Sequence, residues 1–82
     1  MTEVVIFTSD NCSSCKAVKE ELNALNIDYY EKNISKNPEF RNELIKMGYT
    51  IVPVTIVCNE NEVDSYYVLG NDIDRIKKHI HG

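Results

Sequence analysis

Two cysteines separated by two residues, Cys12-Ser13-Ser14-Cys15, follow closely on the apolar run Val4-Val5-Ile6-Phe7 and open a helical pattern. At that spacing both thiols fall on the first turn of a helix, near enough to close a small disulfide ring. A strand before the pair and a helix after it put the first sulfur at a helix N-terminus. Free backbone N–H groups and aligned peptide dipoles favour negative charge there, by about 0.3–1 kcal/mol when exposed and more when partly buried. A thiolate is the species that gains. A cysteine of ordinary pKa, about 8.5, is only a few per cent ionised at neutral pH, whereas C-x-x-C pairs at helix N-termini come down to roughly 3.5–7.5. In an intracellular chain this placement reads as a redox dithiol.

The helical face separates the two roles. Cys15 recurs with Val18, Leu22 and Leu25 on one apolar stripe, which predicts a shielded, resolving thiol. Cys12 precedes the stripe at the cap position, where it meets solvent and substrate, and is the expected nucleophile. The amides of Ser14 and Cys15 are the expected donors to its thiolate. Lys16 and Lys19 add positive charge near the same turn, and Asp10 opposes them. Exchange then runs through attack of Cys12 on a substrate disulfide and a mixed-disulfide intermediate.

The elements that must position this pair follow from periodicity. Residues 3–8 read as a buried strand ended by the polar cluster Thr8-Ser9-Asp10-Asn11, and the helix from Ser13 is closed by Asn26. Residues 27–32 form a second strand, with strong β formers at Tyr29 and Tyr30. Asn37-Pro38-Glu39 is a helix start, with a capping Asn, Pro at the first helical position and an acid in the first turn. Phe40, Leu44 and Met47 mark its inward face, and Gly48 stops it. A strand over 53–58 has Pro53 at its first residue, where a missing N–H is tolerated. Asn59-Glu60-Asn61-Glu62 makes a solvated acidic turn, and Val63 to Leu69 returns as a hairpin strand. Gly70-Asn71-Asp72 opens a last helix with Asn71 as its cap, Ile73, Ile76 and Ile80 inward, and Lys77, Lys78 and His79 at its C-terminal end. The order β-α-β-α-β-β-α predicts an α/β sandwich. Four strands form a mixed sheet whose first β-α-β unit is a parallel crossover, and three helices flank it.

Composition narrows the function class. A chain of 82 residues is expected to be one domain spanning 1–82, with a thin core that shares its elements with the site. A net charge of −4 and the lack of a basic stripe disfavour nucleic acid. Apolar runs fall far short of the ~20 residues that span a bilayer, and Met1-Thr2-Glu3 does not open a signal peptide. Three cysteines do not make a purely structural disulfide framework, so the expected setting is a reducing cytoplasm, where disulfides are transient and catalytic. No bound cofactor and no metal are expected, since a tetrahedral site needs four ligands and no second C-x-x-C completes one. Cys58 reads as a buried small hydrophobe, His79 and His81 as a solvated helix tail, and Tyr66 and Tyr67 as sheet packing. Copper chaperones also place C-x-x-C after a first strand. They run β-α-β-β-α-β with a Met two residues before the first Cys, where this chain has Asp10.

Spacing alone leaves Pro53 as strand punctuation, because only about 5–6% of X-Pro bonds in folded proteins are cis. Taken together, however, the early C-x-x-C, Ile51-Val52-Pro53-Val54 before a strand and Gly70-Asn71-Asp72 before the last helix resemble the glutaredoxin family over essentially the whole chain. Met47-Gly48-Tyr49 followed by Pro53-Val54 is also similar to the glutaredoxin-like redoxins that feed electrons to ribonucleotide reductase. The resemblance implies a thioredoxin fold, a cis Pro53 facing the dithiol, and a Val52 backbone that pairs with the cysteinyl part of glutathione or of a substrate peptide. It also implies that Gly70, Asn71 and Asp72 present the last helix's N-terminus to the γ-glutamyl carboxylate and amine, a ready anion site. Glutathione is then a co-substrate, disulfide-containing proteins are substrates of a monomeric enzyme, and thioredoxin reductase is the alternative electron source.

The chain departs from the family pattern at three points. Ser13-Ser14 replaces the frequent Pro-Tyr, only one glycine precedes the last helix, and Ser9 stands where many members carry a glutathione-binding lysine. Arg41 or Lys46 is a candidate replacement for that cation. An iron–sulfur carrier role, known for some members, is secondary without a Cys-Gly-Phe-Ser segment.

Overall fold

Alternation along the first strand divides the interior into two layers. In β1 (Thr2–Thr8), Val4 and Ile6 enter one core and Val5 and Phe7 the other; successive strand side chains point to opposite faces. The computed structural model describes residues 2–59 and 65–81, with the side chains of Thr2 and His81 outside that description. β2 (Tyr30–Asn33) pairs parallel with β1, β3 (Val54–Asn59) pairs antiparallel with β1, and β4 (Tyr66–Leu69) antiparallel with β3. The sheet order is β2-β1-β3-β4.

Helices α1 (Ser13–Ala24) and α3 (Ile73–His81) cover the first face, where Val18, Leu22 and Ile76 pack with Val4, Ile6, Val57 and Val68. Helix α2 (Pro38–Lys46) covers the second, where Leu44 packs with Phe7, Val54 and Ile56. The mixed four-stranded sheet with three helices is the α/β sandwich that the element order predicts and the thioredoxin fold that the resemblance implies.

Strand direction decides where the site lies. β1, β2 and β4 run one way and β3 the other. The exits of β1, β2 and β4 and the entrance to β3 therefore share one edge of the sheet. All three helices begin at that edge, following Thr8–Cys12, Asn33–Asn37 and Leu69–Asp72 respectively.

The local signals act as expected in α2: Asn37 Oδ1 accepts the Glu39 N–H at 3.0 Å, and Gly48 follows the last turn at φ 92°. Asn26 closes α1 in the left-handed region at φ 57°. Several expected boundaries shift, each for a physical reason. The second strand starts at Tyr30 and not at 27, because the Ile27 N–H is taken by Leu22 C=O at 2.9 Å as the chain leaves α1. It continues to Asn33, held by pairing with Thr8. Leu25 leaves the stripe and is exposed, since α1 ends at Ala24. The third strand runs Val54–Asn59 and not 53–58, with Pro53 just before it. The last strand begins at Tyr66; Val63 and the turn residues Glu60, Asn61 and Glu62 lie outside the described residues. Asp72 and not Asn71 caps α3: its Oδ1 accepts the Arg75 N–H at 3.3 Å and its C=O the Ile76 N–H at 3.2 Å.

Thr8, the last residue of the expected buried strand, is fully buried. Two side-chain readings change. Cys58 is half-buried, with Sγ 3.1 Å from Ser65 Oγ. His79 stacks on Tyr66 with ring centroids 4.1 Å apart instead of standing in solvent. Tyr67 packs on Tyr49, centroids 5.8 Å apart.

Candidate active site

The turn from β1 into α1 presents Cys12 as the helix N-cap, with extended backbone at φ −106° and ψ 104°. Its Sγ accepts the Cys15 N–H at 3.2 Å, and its C=O accepts the Lys16 N–H at 3.2 Å. One orphan amide of the first helical turn thus points at the sulfur, where it would also stabilise a thiolate. Of the two expected amide donors, Cys15 bonds Cys12 Sγ; Ser14 is exposed and makes no such bond among the described residues. Cys12 and Cys15 are joined in a disulfide with Cα atoms 5.2 Å apart. That separation lies within the usual range of about 4.4–6.8 Å. Cys15 is 1% exposed, while Cys12 is only half-buried.

The loop is braced against the β2–α2 connection. The Asp10 N–H donates to Ser35 Oγ at 3.0 Å, and Asp10 Oδ1 accepts from Asn33 Nδ2 at 3.1 Å. Asn11 completes the turn at φ 62°, a left-handed conformation that asparagine tolerates better than most residues. Asp10, read from sequence as opposing the thiolate, has its carboxylate engaged by Asn33.

Beside the dithiol lies a polar groove bordered by Ser9, Cys15, Lys16, Lys19, Glu31 and Lys36. Its floor holds a network that spacing did not reveal. Thr8 Oγ1 donates to Glu31 Oε2 at 2.6 Å, and Lys19 Nζ pairs with the same oxygen at 2.9 Å. The Thr8 hydroxyl, followed by the Lys19 ammonium, holds the Glu31 carboxyl below its ordinary range against the opposing effect of burial. Lys19 is therefore spent on Glu31, whereas exposed Lys16 makes no ion pair among the described residues. Sequence reasoning missed Glu31 and Lys36, because both enter from β2 and the segment after it. The one available signal was the inward parity of Thr8 in β1.

On the other side of the edge, the Val52–Pro53 peptide is cis, as the family resemblance implied. Pro53 is buried, Val52 half-buried, and Pro53 C=O accepts the Gly70 N–H at 2.9 Å. Gly70, at φ 73°, turns the chain from β4 into α3. The fold thus brings Cys12, Cys15, Pro53, Gly70, Asn71 and Asp72 to one edge, with Asn71 and Asp72 exposed. Of the two candidate substitutes for the missing cation, Lys46 ends α2, eight residues past Pro38. A rise of about 1.5 Å per residue puts it roughly 12 Å along the helix from the site edge. Arg41 borders a separate pocket with Ile34, Tyr49 and Thr50. The cations that share a groove with Ser9 are Lys16, Lys19 and Lys36. Among the described residues no group of three or more His, Cys, Asp or Glu is placed to hold a metal ion. No helix there is long and apolar enough to cross a membrane.

Comparison with known proteins accords with this geometry. The glutaredoxin family model matches residues 4–63. The glutaredoxin-like protein NrdH of Lactococcus lactis subsp. cremoris is 39% identical over 51 residues, 62% of this chain and 71% of that protein. Among solved structures, the glutaredoxin of Archaeoglobus fulgidus superimposes with TM-score 0.78 at 26% identity, covering 100% of this chain and 89% of that one. The glutaredoxin-like NrdH-redoxin of Escherichia coli gives TM-score 0.76 at 24% identity, covering 93% and 92%. A cap-position cysteine, a shielded partner and this match over residues 4–63 place the chain in the glutaredoxin family, as a thiol–disulfide oxidoreductase with a C-x-x-C redox centre.

Proposed function

We propose that the chain, acting as a monomeric single domain in the cytoplasm, reduces disulfides in protein substrates, with Cys12 as nucleophile and Cys15 as resolving thiol. The observation that carries this reading is the asymmetry of the pair: Cys12 half-buried at a helix cap, Cys15 1% exposed beneath it. Only the outer sulfur is open to a macromolecular disulfide. The Cys12 thiolate attacks one substrate sulfur, forms a mixed disulfide and expels the other sulfur as a thiolate. Cys15, after losing its proton, attacks Cys12 Sγ and expels the second substrate thiolate. Two electrons pass to the substrate, and the Cys12–Cys15 disulfide remains. Lys16 on the first turn adds positive charge, and Ser14 fills the turn between the cysteines without a direct bond to Cys12. The Val52 backbone pairs with the substrate segment, and the Pro53 ring lies against it. Gly70, Asn71 and Asp72 offer a polar helix terminus to a carboxylate or amine on the substrate or on glutathione.

Two sources could return the electrons: glutathione, or thioredoxin reductase with its nicotinamide donor. Ser9 in place of lysine favours the reductase, and so does the thioredoxin-like activity profile stated for the E. coli NrdH-redoxin. Exposed Ile51, Tyr67 and Leu69 add an apolar surface in the Pro53 and β4 region, of the kind a protein partner covers. The experiment is reduction of the oxidised protein by glutathione alone, beside reduction by thioredoxin reductase. Recycling by the reductase and not by glutathione is the expected outcome. Rapid recycling by glutathione alone would assign the co-substrate role to glutathione and make Asn71 and Asp72 its contacts.

A further inference from the structure

Two polar side chains are fully buried among the described residues, Thr8 and Thr55. The Thr8 hydroxyl is bonded to Glu31. Among the described residues, Thr55 Oγ1 is buried and has no hydrogen-bond partner. An unsatisfied buried hydroxyl costs about 1–3 kcal/mol, so its presence at the second residue of β3 calls for a reason.

Register locates the hydroxyl relative to the redox pair. Glu31 pairs with Ile6, Ile6 with Thr55, and Thr55 with Val68, so the four form one row across the sheet, on one face. Ile6 and Val68 pack with Val18 of α1 and Ile76 of α3, which makes it the face those helices cover. Cys15 stands one turn before Val18 on the buried stripe of α1 and shares the groove with Glu31. Adjacent strands lie about 4.8 Å apart, so Thr55 sits two strands across from Glu31 on the face that α1 and α3 cover. In the oxidised state Cys15 Sγ is bonded to Cys12 and carries no proton. Reduction by a dithiol breaks the S–S bond, delivers two electrons and two protons to the sulfurs, and leaves the reductant as a disulfide. A new S–H then appears at Cys15, on the face where the buried Thr55 hydroxyl has no partner among the described residues.

We propose that Thr55 is a positioning residue for the resolving cysteine: its hydroxyl accepts the S–H of reduced Cys15, so the partner missing in the disulfide form is supplied on reduction. The pairing favours the dithiol state and holds Cys15 below Cys12. This rests on the dithiol cycle described above.

The test is the equilibrium of the whole protein with dithiothreitol, for wild type, Thr55→Val, Thr55→Ser and Thr8→Val. Valine keeps the shape and removes the hydroxyl; serine keeps the hydroxyl. Loss of one modest hydrogen bond from the reduced state alone lowers the equilibrium constant for reduction about three- to tenfold in Thr55→Val, with Thr55→Ser near wild type. The oxidised Thr55→Val protein should match or exceed wild type in urea midpoint while the reduced one falls below it. A packing role would shift both forms alike and leave the equilibrium unmoved. That result overturns the proposal, as does a shift confined to Thr8→Val. Independently of substitution at 55, the S–H stretching band of reduced wild type, assigned by its loss in Cys15→Ala, should lie at a hydrogen-bonded frequency. A free-thiol frequency counts against Thr55 even if its variants fail to fold. Failure of wild type itself to reach equilibrium with dithiothreitol would instead sink the dithiol cycle, and the Thr55 role with it.

Discussion

Replacing Thr8 with valine removes one hydroxyl and little volume, and it isolates the bond that ties the floor of the groove to β2. Thr8 is fully buried, and its hydroxyl reaches the Glu31 carboxylate at 2.6 Å. Hydrogen bonds to charged groups contribute about 1.5–3 kcal/mol. The Glu31 side chain is 32% exposed, so water recovers part of the loss, and the lower end, about 1.5 kcal/mol, is expected at neutral pH. With a urea slope of about 1 kcal/mol per molar for so small a domain, the midpoint falls by roughly 1.5 M.

The effect must also depend on pH. The Thr8 hydroxyl is the largest cause holding Glu31 below its ordinary value of 4.5, with Lys19 next. A depressed carboxyl contributes stability that is full above its unfolded pKa and is lost as pH falls through the folded one. Thr8→Val lets that pKa rise towards the ordinary value, so the variant has less to lose in acid. The two stability curves should therefore converge below about pH 4, where a neutral acceptor leaves a difference of only about 0.5 kcal/mol. Urea titrations of the oxidised proteins at a series of pH values, repeated in a Glu31→Gln background, measure this. A gap of constant size from neutral to acid pH, or no gap at neutral pH, would refute the reasoning.

Other perturbations follow from the same geometry. Cys12→Ser should abolish turnover. Cys15→Ser should lose reduction of protein disulfides, because no resolving thiol remains, and keep only a single-thiol attack on glutathione mixed disulfides that glutathione, not the reductase, must complete; comparing both substrates with each reductant separates the roles, and activity retained in Cys12→Ser would reverse them. Leu22, with no exposed surface in the core between α1 and the sheet, should cost about 2–5 kcal/mol when cut to alanine. Calorimetry would read that as a fall in melting temperature of about 10 °C or more. Gly48→Ala meets no neighbouring atom within 4 Å but forces a side chain onto φ 92°; a loss of about 1–2 kcal/mol in chemical denaturation is expected, from the backbone alone.

The short-range features of the site were legible in the sequence because they are set by neighbours along the chain. C-x-x-C after an apolar strand placed Cys12 at a helix cap, and the stripe with Val18 and Leu22 buried Cys15. Asn37, Pro38 and Gly48 bounded α2 by cap and backbone preference. Where elements end is less legible: β propensity extends the second strand back to Ile27 although its amide is consumed closing α1, and spacing puts the cap at Asn71 where Asp72 serves. One-residue differences of this kind turn on which backbone donor finds which acceptor.

What the sequence by itself determined is the chemistry and the layering: two thiols at a helix start, and apolar buried strands that helices must flank. Tertiary structure alone decided which distant groups surround that chemistry. Glu31 meets Thr8 because β2 pairs parallel to β1 at one register, and Lys36 joins the groove for the same reason. Thr55 comes to rest between Ile6 and Val68 because β3 returns antiparallel between β1 and β4. A shift of one residue in either pairing would turn these side chains to the opposite face. Register across strands is fixed by the packing of the whole sheet and not by any local preference, so no reading of spacing along the chain could supply it.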